Sequence, residues 1–365
     1  MTTPAEFATL FSQMGAAIRP QSEFVSGLLT SIGDDPPTAA LLGAAPATQQ
    51  NPLLLVNVVH SLVLADPTSE LANYYPTVTD SPRAGDPYPV FAEFCRTHRA
   101  EVAAGVATRR TQTNEVGRSA LFLIGLGVLA DELDRALALV DVGTSAGLNL
   151  QLDRFAYEYT DTDGDITRVG DDSPVVLGCG TRGGPPIPTA IPEVAARVGV
   201  DQTPIDLADP EARRWLTACV WPDQPHRFHR LEAAIDMAVA HPPRILTADA
   251  VSGLAPAFEH VGDGGHPVVL NSWVLNYLTP HQRRAYLAEL DRIGATRDLS
   301  WIYLEDPALA AGLPYPPAAT GRTSTLMLVR WRAGRRHVRH LGDAHPHGKW
   351  LHWSGIEISD AAPGR

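Results

Sequence analysis

The sequence predicts an α/β protein, and two observations carry that prediction. Apolar residues in the first third recur at helical spacing with no strand-like alternation. From Leu137 onward short apolar runs alternate with helical stretches, the pattern of a parallel sheet with crossover helices. At 365 residues the chain is long enough for two domains. The boundaries read from this change of texture are 1–118 for a helical cap or substrate domain and 119–365 for the sheet domain, with an inserted hairpin and loop at about 156–190, where Asp, Gly and Pro are frequent.

Taken in order, Phe7, Leu10, Phe11 and Met14 share a helical face, as do Phe24, Leu28 and Leu29. Asn51 and Pro52 are an N-cap and first-turn pair ahead of a buried helix over residues 53–65. Prolines at 76, 82, 87 and 89 make 76–89 a loop, and 91–105 and 114–129 are helical again. Leu137–Val142 is the first strand, with later strands at 244–248, 267–270 and 299–304. Residues 280–293 form a helix between the last two, its Ala285, Leu287, Leu290 and Ile293 apolar. Ser324–Arg332 and 335–341 flank Ala333-Gly334, a hairpin with suitable turn residues.

Composition excludes several functions. Lys and Arg total 29 against 41 Asp and Glu, a net charge of −12 that repels nucleic acid and anionic membrane. The single lysine, Lys349, lies in His-Gly-Lys-Trp with no glycine run before it, which removes the phosphate-loop ATPases and GTPases. Cys95, Cys179 and Cys219 are few and scattered, as in a reducing compartment. The start lacks a basic segment followed by an apolar one, and the longest apolar run, 120–130, is too short to span a bilayer. These readings predict a cytoplasmic protein acting on a small molecule, without nucleic acid or membrane insertion. Metal is not expected, because His226, His229, His345, His347 and His352 show no paired-ligand spacing.

The most informative segment is Asp141-Val-Gly143-Thr144-Ser145-Ala-Gly147-Leu-Asn149. An apolar strand ends at Asp141, glycines follow, and Leu148, Leu152 and Phe155 mark one face of a helix. Such a turn needs glycine for its dihedrals and for close approach of a ligand, and it directs free amides at whatever binds. Two chemistries use it. A carboxylate at the strand tip attracts the ammonium group of S-adenosylmethionine (SAM), whereas it would oppose a dinucleotide pyrophosphate. Gly143-Thr-Ser145-Ala-Gly147 also satisfies Gly-x-Ser-x-Gly, the nucleophile elbow of α/β-hydrolases, which would make Ser145 the nucleophile of a serine esterase.

Context favours the first. The segment resembles the opening motif of Rossmann-like SAM-dependent methyltransferases, acid-x-Gly-x-Gly-x-Gly, with Ser145 in the middle glycine's place. Helices rather than several strands precede it, and there is no oxyanion-hole glycine loop upstream. The resemblance implies a seven-stranded Rossmann-like sheet with an N-terminal helical cap. It implies that Asp141 holds the SAM amino group and that Gly143, Thr144, Ser145, Gly147 and Asn149 surround the methionine portion. Asp201, ending Val198-Gly-Val200, would bind the ribose, with Glu158 as the alternative because Asp201 lies far downstream of the loop. Asp249 and Ala250 would flank the adenine. Asn271, Ser272 and Trp273 would lie by the methyl-transfer centre, with Asn276 beside the acceptor. The terminal hairpin is similar to strands six and seven of that fold. The whole chain also resembles an uncharacterised bacterial family known only as a domain of unknown function.

Asn114, Glu115 and Arg118, just before the helix leading into the first strand, are candidates for reaching the acceptor, against an ordinary helix cap. If a hydroxyl is methylated, His281, Glu305 and Asp306 follow sheet strands and are the candidate bases. Asp201 and Asp249 are equally good turn formers. The arginine-rich stretch 330–340 reads as the solvated face of a hairpin rather than a nucleic-acid patch.

Overall fold

The computed structural model describes residues 4–309 and 324–358. By internal packing the chain divides into two units, one of residues 1–113 with 206–232 and one of 114–205 with 233–365.

The first unit is helical. It includes Pro4–Ile18, Glu23–Gly33, Pro52–Ala65, Tyr88–Thr97, Arg99–Thr108 and Pro210–Ala218. Asn51 caps its helix as expected, Oδ1 accepting from Leu53 N at 3.0 Å. Phe11, Leu28, Leu29, Leu55, Val59 and Phe91 are fully buried and form one core with Trp215 and Cys219 from the later segment. His60 lies in this core between Ala218 O (3.1 Å) and Thr77 Oγ1 (2.9 Å). Burial lowers its pKa to about 4, so it is a neutral, satisfied core histidine at ordinary pH.

The second unit is built on one mixed sheet: β1 (Leu137–Val142), β2 (Ala156–Thr160), β3 (Ile166–Val169), β4 (Val176–Arg182), β5 (Val194–Asp201), β6 (Ile245–Thr247), β7 (His266–Ser272), β8 (Leu299–Glu305), β9 (Ser324–Arg332), β10 (Arg335–Ala344) and β11 (Trp350–Ile358). The order across the sheet is β3-β2-β4-β11-β10-β9-β8-β7-β1-β5-β6. The expected seven strands are therefore corrected to eleven among the described residues. The physical reason is edge pairing: β11 continues the hairpin and then takes β4 as a parallel neighbour, Trp350 opposite Gly180. The insertion thereby joins the same sheet instead of standing apart as a hairpin and loop.

Within it, β8-β7-β1-β5-β6 are all parallel. Read from β6 and numbered by chain order, these five run 3-2-1-4-5, the order of open doubly wound sheets. The chain leaves β1 for β5 and β6 on one side and returns to β7 on the other, so the switch point falls beside β1. Helices Leu254–Val261 and Pro280–Gly294 pack one face through Leu254, Phe258, Tyr286 and Leu290. Helix Ser119–Glu132 packs the other, its Gly125 against Ile302 and Leu341. The hairpin turn is as expected, with Ala333 and Gly334 both left-handed (φ 48° and 72°). No helix among the described residues is long and apolar enough to cross a membrane.

Candidate functional site

The C-terminal ends of β1, β5 and β7 bring together Asp141, the glycine turn, Asp201 and Ser272. Gly143 (φ 72°), Ser145 (58°) and Gly147 (75°) are all left-handed, every second residue of the turn. Ser145 thus adopts the conformation that a glycine would adopt without strain, at a cost of about 1–2 kcal/mol. The turn is tied to β5, since Val200 O accepts from Gly143 N (2.8 Å) and Thr144 N (3.2 Å).

The helix expected after the turn is a short 3₁₀ segment, Leu148–Arg154, and β2 follows at once. Its first amides are not free. Asn114 Oδ1 accepts from Ala146 N (3.1 Å) and Leu148 N (3.2 Å), so this residue holds the turn itself. Asn149 is buried and takes the Ser119 hydroxyl at 2.8 Å, locking the turn to the start of helix Ser119–Glu132.

Asp141 is 4% exposed, and its Oδ2 accepts from the Thr144 hydroxyl at 2.7 Å. Burial pushes its carboxyl up to about 7. The Thr144 hydrogen bond opposes this, the charge of Asp201 adds to it, and the Arg118 guanidinium opposes it. The result is a buried acid short of positive charge at the tip of the central strand. Asp201, half-buried on the neighbouring strand, accepts from Ser145 N (2.8 Å) and Thr203 N (2.9 Å). Glu158 lies on β2, paired with Arg168 (2.9 Å), far across the sheet from β1. Asp249 is exposed, and its Oδ1 accepts from Val251 N (2.9 Å) and Ser252 N (3.0 Å). The Ser252 hydroxyl and amide hold its carboxyl below the usual range. Ala250 is buried in the adjoining core.

Arg118 is 8% exposed and donates to Ser272 Oγ (3.1 Å) and to Pro346 O (2.8 Å). Glu115, also buried, accepts from Gly117 N (3.0 Å) and faces His347 Nδ1 at 3.8 Å. The turn 345–348, whose histidines the sequence marks only by their lack of paired-ligand spacing, contributes the Pro346 carbonyl to Arg118, and its Gly348 is left-handed (φ 76°).

Asn271 and Glu305 form a polar network inside the sheet rather than at its edge. Asn271 Nδ2 and Val274 N both donate to Glu305 Oε1 at 2.7 Å, while Trp301 Nε1 donates to Asn271 Oδ1. Burial pushes Glu305 up to about 7, against the Val274 and Asn271 hydrogen bonds and the Arg118 charge. Its second oxygen has no hydrogen-bond partner among the described residues. This network holds the turn after β7, where Trp273 is left-handed (φ 57°) and donates through Nε1 to Ser324 Oγ (3.0 Å). Asn276 is exposed beyond that turn, His281 is exposed in the first turn of its helix, and Asp306 Oδ1 caps Ala308 N (2.9 Å). Among the described residues no three His, Cys, Asp or Glu side chains converge as a metal site requires.

Residues 8–353 match the model of a family described as "Uncharacterized protein conserved in bacteria (DUF2332)". The chain belongs to this family. The match spans both units, and every site residue of this DUF2332 member falls inside it. A search of curated proteins finds no match.

Proposed function

We propose that this protein is a SAM-dependent methyltransferase acting on a small-molecule, sugar or lipid acceptor. The observation that carries the reading is Asp141, a buried carboxyl at the tip of the central parallel strand that forms no ion pair among the described residues and adjoins a turn with three alternating left-handed residues. The strand order and the switch point beside β1 support it, because ligands of doubly wound sheets bind there. The fold-level expectation of a Rossmann-like methyltransferase sheet then refers to the five parallel strands.

The residues present fit the cofactor. Asp141 would hold its amino group, the turn 143–147 its methionine portion and Asp201 its ribose, since each carboxylate oxygen of Asp201 can accept more than the one amide it has. The cofactor supplies a methyl group activated on a cationic sulfonium. The protein's part is positioning, which suffices for an in-line displacement. Asn114 and Asn149 fix the turn, Arg118 fixes Ser272, and the Glu305–Asn271 network fixes the turn bearing Trp273. Glu305, His281 and Asp306 remain the bases to replace first if a hydroxyl is the acceptor; Glu305 is buried, and that burial raises its pKa to about 7.

Calorimetric titration with S-adenosylhomocysteine (SAH) tests the reading; no binding at high micromolar concentration in any buffer defeats it. The serine-esterase reading keeps one observation in its favour, the left-handed strain at Ser145 that a nucleophile elbow also shows. Against it, Ser145 Oγ is buried with no hydrogen-bond partner among the described residues, imidazoles included. Ser145→Gly separates the two. As a methyltransferase the variant retains SAH binding and gains about 1 kcal/mol of stability from relieved strain. As an esterase it loses all labelling by a fluorophosphonate that the wild type accepts.

A further inference from the structure

At the opposite end of the sheet from the glycine turn, a depression of about 210 Å³ opens on the face of β9, β10 and β11 beside the end of helix Ser119–Glu132. Its charged lining is Glu132, Arg330, Arg332, His337, Arg339 and Glu357. Strand alternation explains the cluster: Arg330 pairs across the ladder with His337, and Arg339 with Glu357, so their side chains share one face. Glu132 accepts from both Arg330 and Arg339 (3.0 Å for the latter), and Glu357 accepts from Arg339 Nε at 2.6 Å. These carboxylates hold two guanidinium groups in place at the wall. Arg332 and His337 are exposed and form no ion pair with described residues.

Three guanidinium charges therefore face two carboxylates, a local positive excess in a chain whose net charge is −12. Guanidinium forks offer donors in the spacing that tetrahedral oxyanions accept bidentately, and pre-held forks lose little entropy on binding. We infer that this depression is a binding site for a small tetrahedral oxyanion, free or as the phosphate group of a phosphomonoester, with Arg332 as the principal uncommitted donor and His337 beside it. The site is independent of the glycine turn and does not rest on methyl transfer.

The test is calorimetric titration of the full chain with sodium sulfate and with glycerol 3-phosphate, against sodium chloride at matched ionic strength. Saturable binding of either oxyanion, absent for chloride, is expected. A stronger response to glycerol 3-phosphate identifies an ester site, and equal responses a free-oxyanion site. Arg332→Ala is expected to weaken binding about tenfold, the worth of a charge-assisted hydrogen bond. Glu357→Gln, which removes a negative charge from the wall, is expected to tighten it severalfold. Both positions are exposed, so folding is preserved, and an unchanged thermal midpoint verifies that. Absence of saturable binding, or equal affinity in wild type and both variants, overturns the inference.

Discussion

Asp141→Asn is expected to abolish SAH binding and yet leave the free protein more stable than the wild type above pH 7. Asparagine retains an oxygen for the Thr144 hydroxyl but removes the ionisable group. The sign follows from linkage. Burial raises the Asp141 carboxyl from an ordinary 3.8 to about 7, so the folded state keeps a proton that the unfolded chain releases. Its contribution is fully present below about pH 4 and is lost as pH rises to 7, beyond which both states are ionised. At about 1.36 kcal/mol per pKa unit the loss reaches roughly 4 kcal/mol at most. Glu305, raised to about 7 by burial, acts in the same direction, so the single variant flattens the pH dependence only in part. Urea unfolding at pH 5 and pH 8, with SAH titration at pH 8, measures both effects. A variant that binds SAH as the wild type does ends the assignment of Asp141.

Gly348→Ala is expected to cost at least about 3 kcal/mol of stability and to weaken SAH binding tenfold or more. Gly348 is left-handed (φ 76°), and a methyl group there would drive into the Gly117 carbonyl, lying also 2.9 Å from Arg118 N. In the reverse direction a methyl on Gly117 would meet His347 O at 2.5 Å, so two backbones pass each other with no room for a side chain. Relief requires moving segment 115–118, which carries Arg118 away from Pro346 and Ser272. Gly164→Ala is the control: that residue is left-handed (φ 88°) with nothing within 4 Å of an added methyl, so only the dihedral cost of about 1 kcal/mol applies. Equal losses in the two variants, or unchanged SAH affinity in Gly348→Ala, would show that the 345–348 turn does not support the site.

Much of the fold is local and was therefore readable. The helical first third, β1, the helix after β7 and the Ala333-Gly334 hairpin all follow from period, capping and turn chemistry within a few residues. Thr279 and Gln282 form a capping box where that helix begins, a signal of the same short range. The glycine turn belongs to this class too, since Asp141, Gly143 and Gly147 announce a strand-to-loop junction by residue type alone.

What tertiary structure decided is everything that depends on distant segments meeting. The pairing of β4 with β11 joins residues about 170 apart and turns a seven-stranded expectation into eleven strands among the described residues. No local pattern encodes that pairing, because an edge strand offers the same backbone groups to any partner. Proximity likewise reassigned side chains. Asn114 spends its oxygen on the turn's amides, Asn271 donates to one oxygen of Glu305 inside the sheet, and the 345–348 turn supplies the carbonyl that orients Arg118. Residue type specified which groups could act. Packing desolvated Asp141, which raises its carboxyl, and left Asp201 half-buried on the neighbouring strand with two backbone amides to hold.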